Sequence, residues 1–323
     1  MKIGRGSRCL CLVAAFLFSL LVLLPAQAVA DETVPLDAAE RERLGGSFLE
    51  LPDGWVHYQV SGEENADTVI LVHGFSVPSF VWRGVLPYLL DAGLRVVVYD
   101  NYGRGFSDRP GPPYNIELFD RQLDGVINGL TAESARVALV GYSMGGAIVT
   151  EYAARRPERV AALALIAPAG YPVGLPLAAR LTRLPLVGEW LFSVFAPRVL
   201  SSRVEQMAAL PGAPRDFVER YNEQLRYPGY VEALASTLVE YPLSDLRDSY
   251  RALGASGLPV MALWGDSDKV VPYSSSKLLA EDLPGLELNT IEGGAHAITF
   301  TRPHVVGPHL VSFFRKGEWP LLR

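Results

Sequence analysis

The chain has 323 residues, 49% hydrophobic and 20% charged, with a formal net charge of −6. This is the balance of a folded globular chain that can bury most of its apolar surface, and it excludes a disordered one. Its acidic excess argues against nucleic acid or an anionic membrane surface as the main partner.

The N-terminus reads as a separate segment. Lys2, Arg5 and Arg8 precede an apolar run from Cys9 to Leu24. Pro25 ends the run, and Ala28-Val29-Ala30 supplies small residues at cleavage-site spacing. This is the pattern of a secretory signal peptide over residues 1–30, so the chain is expected to be exported to a periplasm or out of the cell. The alternative is an uncleaved anchor over residues 9–30, which would hold the protein near a membrane. The run is short against the roughly 20 apolar residues that a spanning helix needs. Both cysteines, Cys9 and Cys11, lie inside the segment. Its removal leaves no disulfide, no thiol nucleophile and no thiolate metal site. Removal also takes the three basic residues named above and no acidic one, which moves the net charge from −6 to −9.

Short strand-like runs bounded by turn residues then recur, the first alternating and most of the others continuously apolar. They are Trp55–Val60, Thr68–Val72, Arg95–Tyr99, Arg136–Val140, Ala161–Ile166, Val260–Trp264 and Leu286–Ile291. Such runs suit strands covered on both faces. Between them, Phe80–Ala92 and Phe119–Thr131 carry helical spacing. The alternation predicts an α/β fold, a mostly parallel sheet with crossover helices on both faces. It lapses from Tyr171 to Gly254, where LPLAARLTRLPLVGEWLFSVFAPRVL, RDFVERYNEQL and GYVEALASTLVEY all read as helical. The expected organisation is a core of residues 31–170 and 255–323 with a helical lid insertion over 171–254. Such a lid would cover the C-terminal edge of the sheet, where ligands bind in these folds.

One bend carries chemistry. Residues 137–152 read VALVGYSMGGAIVTEY, a strand, then Gly-Tyr-Ser-Met-Gly, then a helix. This is the nucleophile elbow G-x-S-x-G. Strand and helix approach so closely there that the residues two before and two after the serine must be small, and Gly141 and Gly145 satisfy this. The turn lifts the Ser143 hydroxyl above the sheet. It also leaves the Met144 N–H free at a helix start to stabilise an oxyanion.

A serine hydroxyl needs a base, and the base needs an orienting carboxylate. The elbow predicts the chain order serine, acid, histidine. Gly265-Asp266-Ser267-Asp268 follows a late strand run and offers two carboxylates. Asp268 is preferred, with Asp266 capping the turn. His296 follows the last strand run on Gly293-Gly294-Ala295-His296, whereas His304 and His309 fall on the final helix and His57 and His73 precede the serine. His296 is therefore the expected base. A second oxyanion donor should come from the loop His73-Gly74-Phe75-Ser76, through the Phe75 N–H, with His73 bracing that loop.

These motifs together resemble the α/β-hydrolase family from about residue 45 to residue 320. The match lies in HGF at 73–75, DNYGRGFSDRP at 100–110, GYSMGG at 141–146, WGDSDKVVP at 264–272 and GGAHAITFTRP at 293–303. The resemblance implies an eight-stranded-type sheet, catalytic roles for Ser143, Asp268 and His296, and oxyanion roles for Phe75 and Met144. It implies a small-molecule ester substrate and neither a metal nor an organic cofactor. No H-E-x-x-H, P-loop or post-strand G-x-G-x-x-G occurs in the chain. Members that open haloalkanes or epoxides carry an aspartate at the elbow, where this chain has Ser143. Carbon–carbon bond hydrolases share the serine triad but typically carry HGxGPG, where this chain reads HGFSVPS. They remain the alternative, together with a non-catalytic ligand-binding member.

Overall fold

The computed structural model describes residues 32–132, 134–173 and 199–316. The signal-peptide segment lies outside the described residues, as does most of the first apolar stretch of the insertion. Eight strands form one sheet in the order β1-β2-β4-β3-β5-β6-β7-β8. They are β1 Ser47–Leu51, β2 Gly54–Ser61, β3 Thr68–Val72, β4 Arg95–Tyr99, β5 Val137–Tyr142, β6 Val160–Ile166, β7 Val260–Gly265 and β8 Glu287–Ile291. Only β2 runs against the rest, pairing antiparallel with β1 and β4. From β4 to β8 every pairing is parallel.

The continuous apolar runs have a simple cause. Side chains alternate across a strand, and both faces of this sheet are covered. Ile70 and Val72 enter one core together with Leu139 of β5, Leu163 of β6 and Leu123 of the helix Ile116–Leu130. Val69 and Leu71 enter the other, with Val140, Trp82, Leu89 and Leu310. Each wholly buried side chain of this size contributes roughly 1.5–3 kcal/mol.

Two elements differ from the sequence expectation. The helix expected over Phe80–Ala92 is split into a 3-10 turn, Ser79–Trp82, and a helix, Leu86–Asp91. Pro87 lies in the first turn of the second piece, the part of a helix that tolerates proline. Strand β1 was not among the predicted runs. It is a half-buried edge strand that lays Leu49 and Leu51 against Gly129 and Gly125 of the helix Ile116–Leu130, where a Cβ would come within 2.8 Å and 2.7 Å of those leucines.

Between β6 and β7 the described residues from 199 to 255 hold helices and no strand. Residues 199–208 are helical, followed by Phe217–Glu223, Tyr230–Glu240 and Arg247–Ala255. The last of these packs on the helix Met144–Arg155 and serves as the crossover into β7. Phe217, Tyr221 and Leu234 of the insertion join the second core. The N-terminal arm also reaches this region. Glu32 accepts hydrogen bonds from the Gly229 and Val231 amides at 2.9 and 3.3 Å, at the start of the helix Tyr230–Glu240.

Candidate active site

Ser143 sits between β5 and the helix Met144–Arg155 with φ 56° and ψ −118°. A non-glycine residue in this region costs of order 1–3 kcal/mol, and neighbouring structure must impose it. Three main-chain hydrogen bonds do so. The Ser143 N–H donates to Ile166 O at 2.9 Å, and its carbonyl accepts from the Gly146 and Ala169 amides at 2.9 and 3.0 Å. The flanking glycines are required sterically. A Cβ on Gly141 would fall 2.4 Å from Gly145 O, and one on Gly145 would fall 2.1 Å from Val72 O.

Ser143 Oγ lies 3.0 Å from His296 Nε2. On the far side of the ring, His296 Nδ1 lies 2.7 Å from Asp268 Oδ2. The other oxygen of Asp268 accepts from the Val270 and Val271 amides at 2.8 and 2.9 Å. The Asp268 side chain is fully buried, and His296 keeps a small exposed edge. A buried carboxylate on Nδ1 fixes one tautomer, with Nδ1–H donating to Asp268 and the Nε2 lone pair facing the serine. The Tyr142 ring packs on the imidazole with centroids 5.1 Å apart. Asp266 is elsewhere, accepting from the Gly293 N–H at 2.8 Å and from Ser267 Oγ at 3.0 Å. His309 bonds to Val305 O on its own helix.

The loop after β3 passes close to the serine. A Cβ on Gly74 would lie 3.2 Å from Ser143 Cβ. Among the described residues, the Phe75 N–H donates to no protein acceptor. The Met144 N–H opens its helix, where no intrahelical acceptor exists. Two amides without an acceptor among the described residues thus border the serine.

A family model described as an alpha/beta hydrolase fold matches residues 67–303. The chain belongs to the α/β-hydrolase family. This hydrolase is 31% identical over 276 residues to a protein of Pantoea ananatis that bears the provisional name carbamate hydrolase, an alignment covering 81% of this chain and 94% of that one. Among solved structures it resembles one described with the carboxylesterases of the thaumarchaeon Nitrososphaera gargenis (TM-score 0.68, 21% identity, 84% of this chain and 98% of that one). It also resembles the meta-cleavage product hydrolase CumD of Pseudomonas fluorescens (TM-score 0.64, 22% identity, 84% and 98%). Those two likenesses concern the fold.

The loops beside the hydrolase's serine carry buried charge and buried imidazoles. Burial pushes the His73 imidazole down to about 4, so it is neutral. Its Nε2 accepts the Asn101 N–H at 2.8 Å, which leaves Nδ1–H to donate to Gly74 O at 2.9 Å. Burial opposes the charge on Asp100, yet the hydrogen bond from His57 Nδ1 at 2.8 Å and that from the Phe106 amide hold its carboxyl well below the usual carboxylate range. Arg104 is fully buried, and burial lowers its guanidinium to about 10. No carboxylate pairs with Arg104 among the described residues. It lies instead over the rings of Phe75, Tyr114 and Phe119, 5.5–5.7 Å from each centroid.

Arg104, Gln224 and Tyr230 touch the loop after β3, and the motif pattern singles out none of the three. Their contacts span 29, 148 and 154 residues of sequence. The local signal available is the isolated arginine between two glycines in DNYGRGFSDRP.

Proposed function

We propose that this protein is an exported serine hydrolase that cleaves carboxylic esters through an acyl-enzyme. The observation that carries the reading is the unbroken hydrogen-bonded chain from Asp268 through His296 to Ser143, at 2.7 and 3.0 Å. The two amides beside it support the same chemistry.

The geometry orders the steps. His296 Nε2 takes the hydroxyl proton as Ser143 Oγ attacks the acyl carbon. The charge that develops on the acyl oxygen is met by the Phe75 and Met144 N–H groups, where one such donor is worth about 2.7–4 kcal/mol. The tetrahedral intermediate collapses as the imidazolium gives its proton to the departing alkoxide. Water, deprotonated in turn by His296, attacks the acyl-enzyme, releases the carboxylic acid and regenerates the serine. Asp268 keeps the imidazole in its tautomer and stabilises the imidazolium.

The insertion between β6 and β7 buries an apolar and aromatic face that includes Phe217, Tyr221, Tyr230 and Leu234. This supports a lid over a medium-chain or monoacylglycerol-like acyl group. Hydrolysis of a carbon–carbon bond with the same triad is the second reading, favoured by the likeness to a meta-cleavage product hydrolase and opposed by HGFSVPS in place of a glycine-rich loop. A carbamate would meet the same acyl chemistry.

The deciding experiment is hydrolysis of p-nitrophenyl esters, acetyl to dodecanoyl, by the mature protein and by Ser143→Ala. The expected result is clear turnover that falls by about 10⁴-fold or more in the variant. Wild-type protein that turns over no ester yet labels at Ser143 with a fluorophosphonate would sink the ester reading and keep the nucleophile. Vinylogous diketones and carbamates would then be the next substrates. Mass spectrometry of the mature N-terminus tests export: a chain beginning at Asp31 supports it, and an intact Met1 in a membrane fraction contradicts it.

A further inference from the structure

Three consecutive carbonyls follow β3, and side chains hold all of them. Gly74 O accepts from His73 Nδ1 at 2.9 Å and Phe75 O from Arg104 Nε at 2.9 Å. Ser76 O accepts twice, from the Tyr230 hydroxyl at 3.0 Å and from Gln224 Nε2 at 3.1 Å. A trans peptide points its N–H opposite to its carbonyl. Gripping Gly74 O therefore aims the Phe75 N–H away from His73, and gripping the next two carbonyls fixes the twist of the turn around it.

Two of the four donors belong to the insertion, and both are buried. Gln224 has both ends in use, because its Oε1 accepts the Gly105 N–H at 3.0 Å. Tyr230 donates to Ser76 O, so at 2.6 Å it must accept from the Tyr221 hydroxyl. Arg104 adds a second tie, from Phe75 O to Thr237 Oγ1 at 2.8 Å. Tyr230 and Thr237 lie two turns apart on one face of the helix Tyr230–Glu240. A buried network with its donors and acceptors matched is rigid, and removing one member leaves the partner unpaired.

We propose that Gln224 and Tyr230 are positioning residues that set the angle of the Phe75 amide through the Ser76 carbonyl, so that the insertion clamps the oxyanion loop as well as covering the site. This rests on the reading of Ser143 and Phe75 given above. Neither side chain touches the reacting atoms. Their loss acts on the transition state, where the oxyanion exists, more than on substrate binding.

The test uses full-length mature protein with Tyr230→Phe, Gln224→Leu and the double variant. Steady-state kinetics on one short ester are compared with the inhibition constant of a trifluoromethyl ketone, which adds to the serine and places an oxyanion in the same position. Each single variant should lower kcat by about 10-fold and the double by about 10²-fold, short of the loss of a donor outright. KM should stay within about twofold, and the inhibition constant should rise by the factor by which kcat/KM falls. A merely structural role would lower Tm and leave kcat and the inhibition constant within twofold of wild type well below Tm, and that outcome overturns the proposal. So does a rise in KM at constant kcat, which would make the residues part of a substrate pocket. Gln224→Leu strands the Gly105 N–H. If that variant does not fold, Tyr230→Phe, which removes one oxygen and keeps the ring, decides alone. If wild-type protein binds the ketone but hydrolyses no ester, the ketone's dissociation constant decides: a rise of about 10-fold in each single variant supports the proposal, and a value within twofold of wild type overturns it. Wild-type protein that does neither overturns the serine-hydrolase reading and this inference with it.

Discussion

The two halves of the sheet's C-terminal edge are built differently. After β5 and β7, the candidate nucleophile and acid each sit on a tight turn, and the candidate base after β8 is oriented by that acid. The elbow carries Ser143, the Val270 and Val271 amides grip Asp268, and Asp268 in turn holds His296. After β3 and β4 the loops are held from a distance by His57, His73, Asp100, Arg104, Gln224 and Tyr230. The difference follows from what each half must aim. A side chain can be aimed by its own backbone turn. A main-chain amide has no side chain of its own to steer it, so it is aimed by gripping the carbonyls on either side.

The sharpest break in this comparison would come from the two aspartates. Asp268→Asn should lower kcat by about 10⁴-fold through the wrong histidine tautomer, while Asp266→Asn should stay within about tenfold of wild type. Equal losses would mean that the turn as a whole, and not one carboxylate on His296 Nδ1, is what matters. Next in size is Gly145→Ala. A Cβ there meets the carbonyls of Val72 and His73 at 2.1 and 2.6 Å, both of them backbone. Denaturant unfolding should show a loss of about 3 kcal/mol or more, or the variant should fail to accumulate as folded protein. A near-neutral result would show that the elbow has more room than its contacts allow.

The distant side predicts a pH effect on stability. His73 titrates at about 4 when folded, because it is buried. Unfolded histidine titrates near about 6.5. Between those values the unfolded chain binds the extra proton, so stability must rise with pH across that window. The contribution is complete above about pH 6.5, is lost progressively as pH falls toward 4, and is of order 3 kcal/mol. Urea unfolding at intervals from pH 4 to 7 measures the slope, which should flatten in His73→Gln. A wild-type slope no steeper than that of His73→Gln would place the proton-linked stability elsewhere.

Much of the site is legible in one dimension because its signals are local. Strain at Ser143 demands small neighbours at fixed offsets. The order serine, acid, histidine, together with the place of each residue just after a strand run, reduces the carboxylates to the pair at 266 and 268 and the histidines to 296. Strands buried on both faces announce themselves as unbroken apolar runs, which is why β3 to β7 are readable. Strand β1 is not, since SFLEL is a half-buried edge strand with an ordinary composition. At the break before Leu86, Gly84 lies against Pro303, 219 positions along the chain, where a Cβ would come within 2.7 Å of the proline ring.

By itself, then, the sequence determined the layered α/β class, the strand–turn–helix elbow and the residues eligible to act as nucleophile, base and acid. Each of these depends on residues within a few positions of one another. The sequence preferred Asp268 over Asp266, and the tertiary structure sets Asp268 on His296 Nδ1 and Asp266 on the Gly293 amide, two residues that differ in where the turn points them. Only the tertiary structure brought Gln224 and Tyr230 onto Ser76 O, because a hydrogen bond spanning about 150 residues leaves no periodicity in the chain. It also decided that Arg104 is buried with no carboxylate partner among the described residues. Such burial costs several kcal/mol unless aromatic faces and carbonyls surround the charge, and those groups converge only when the chain folds.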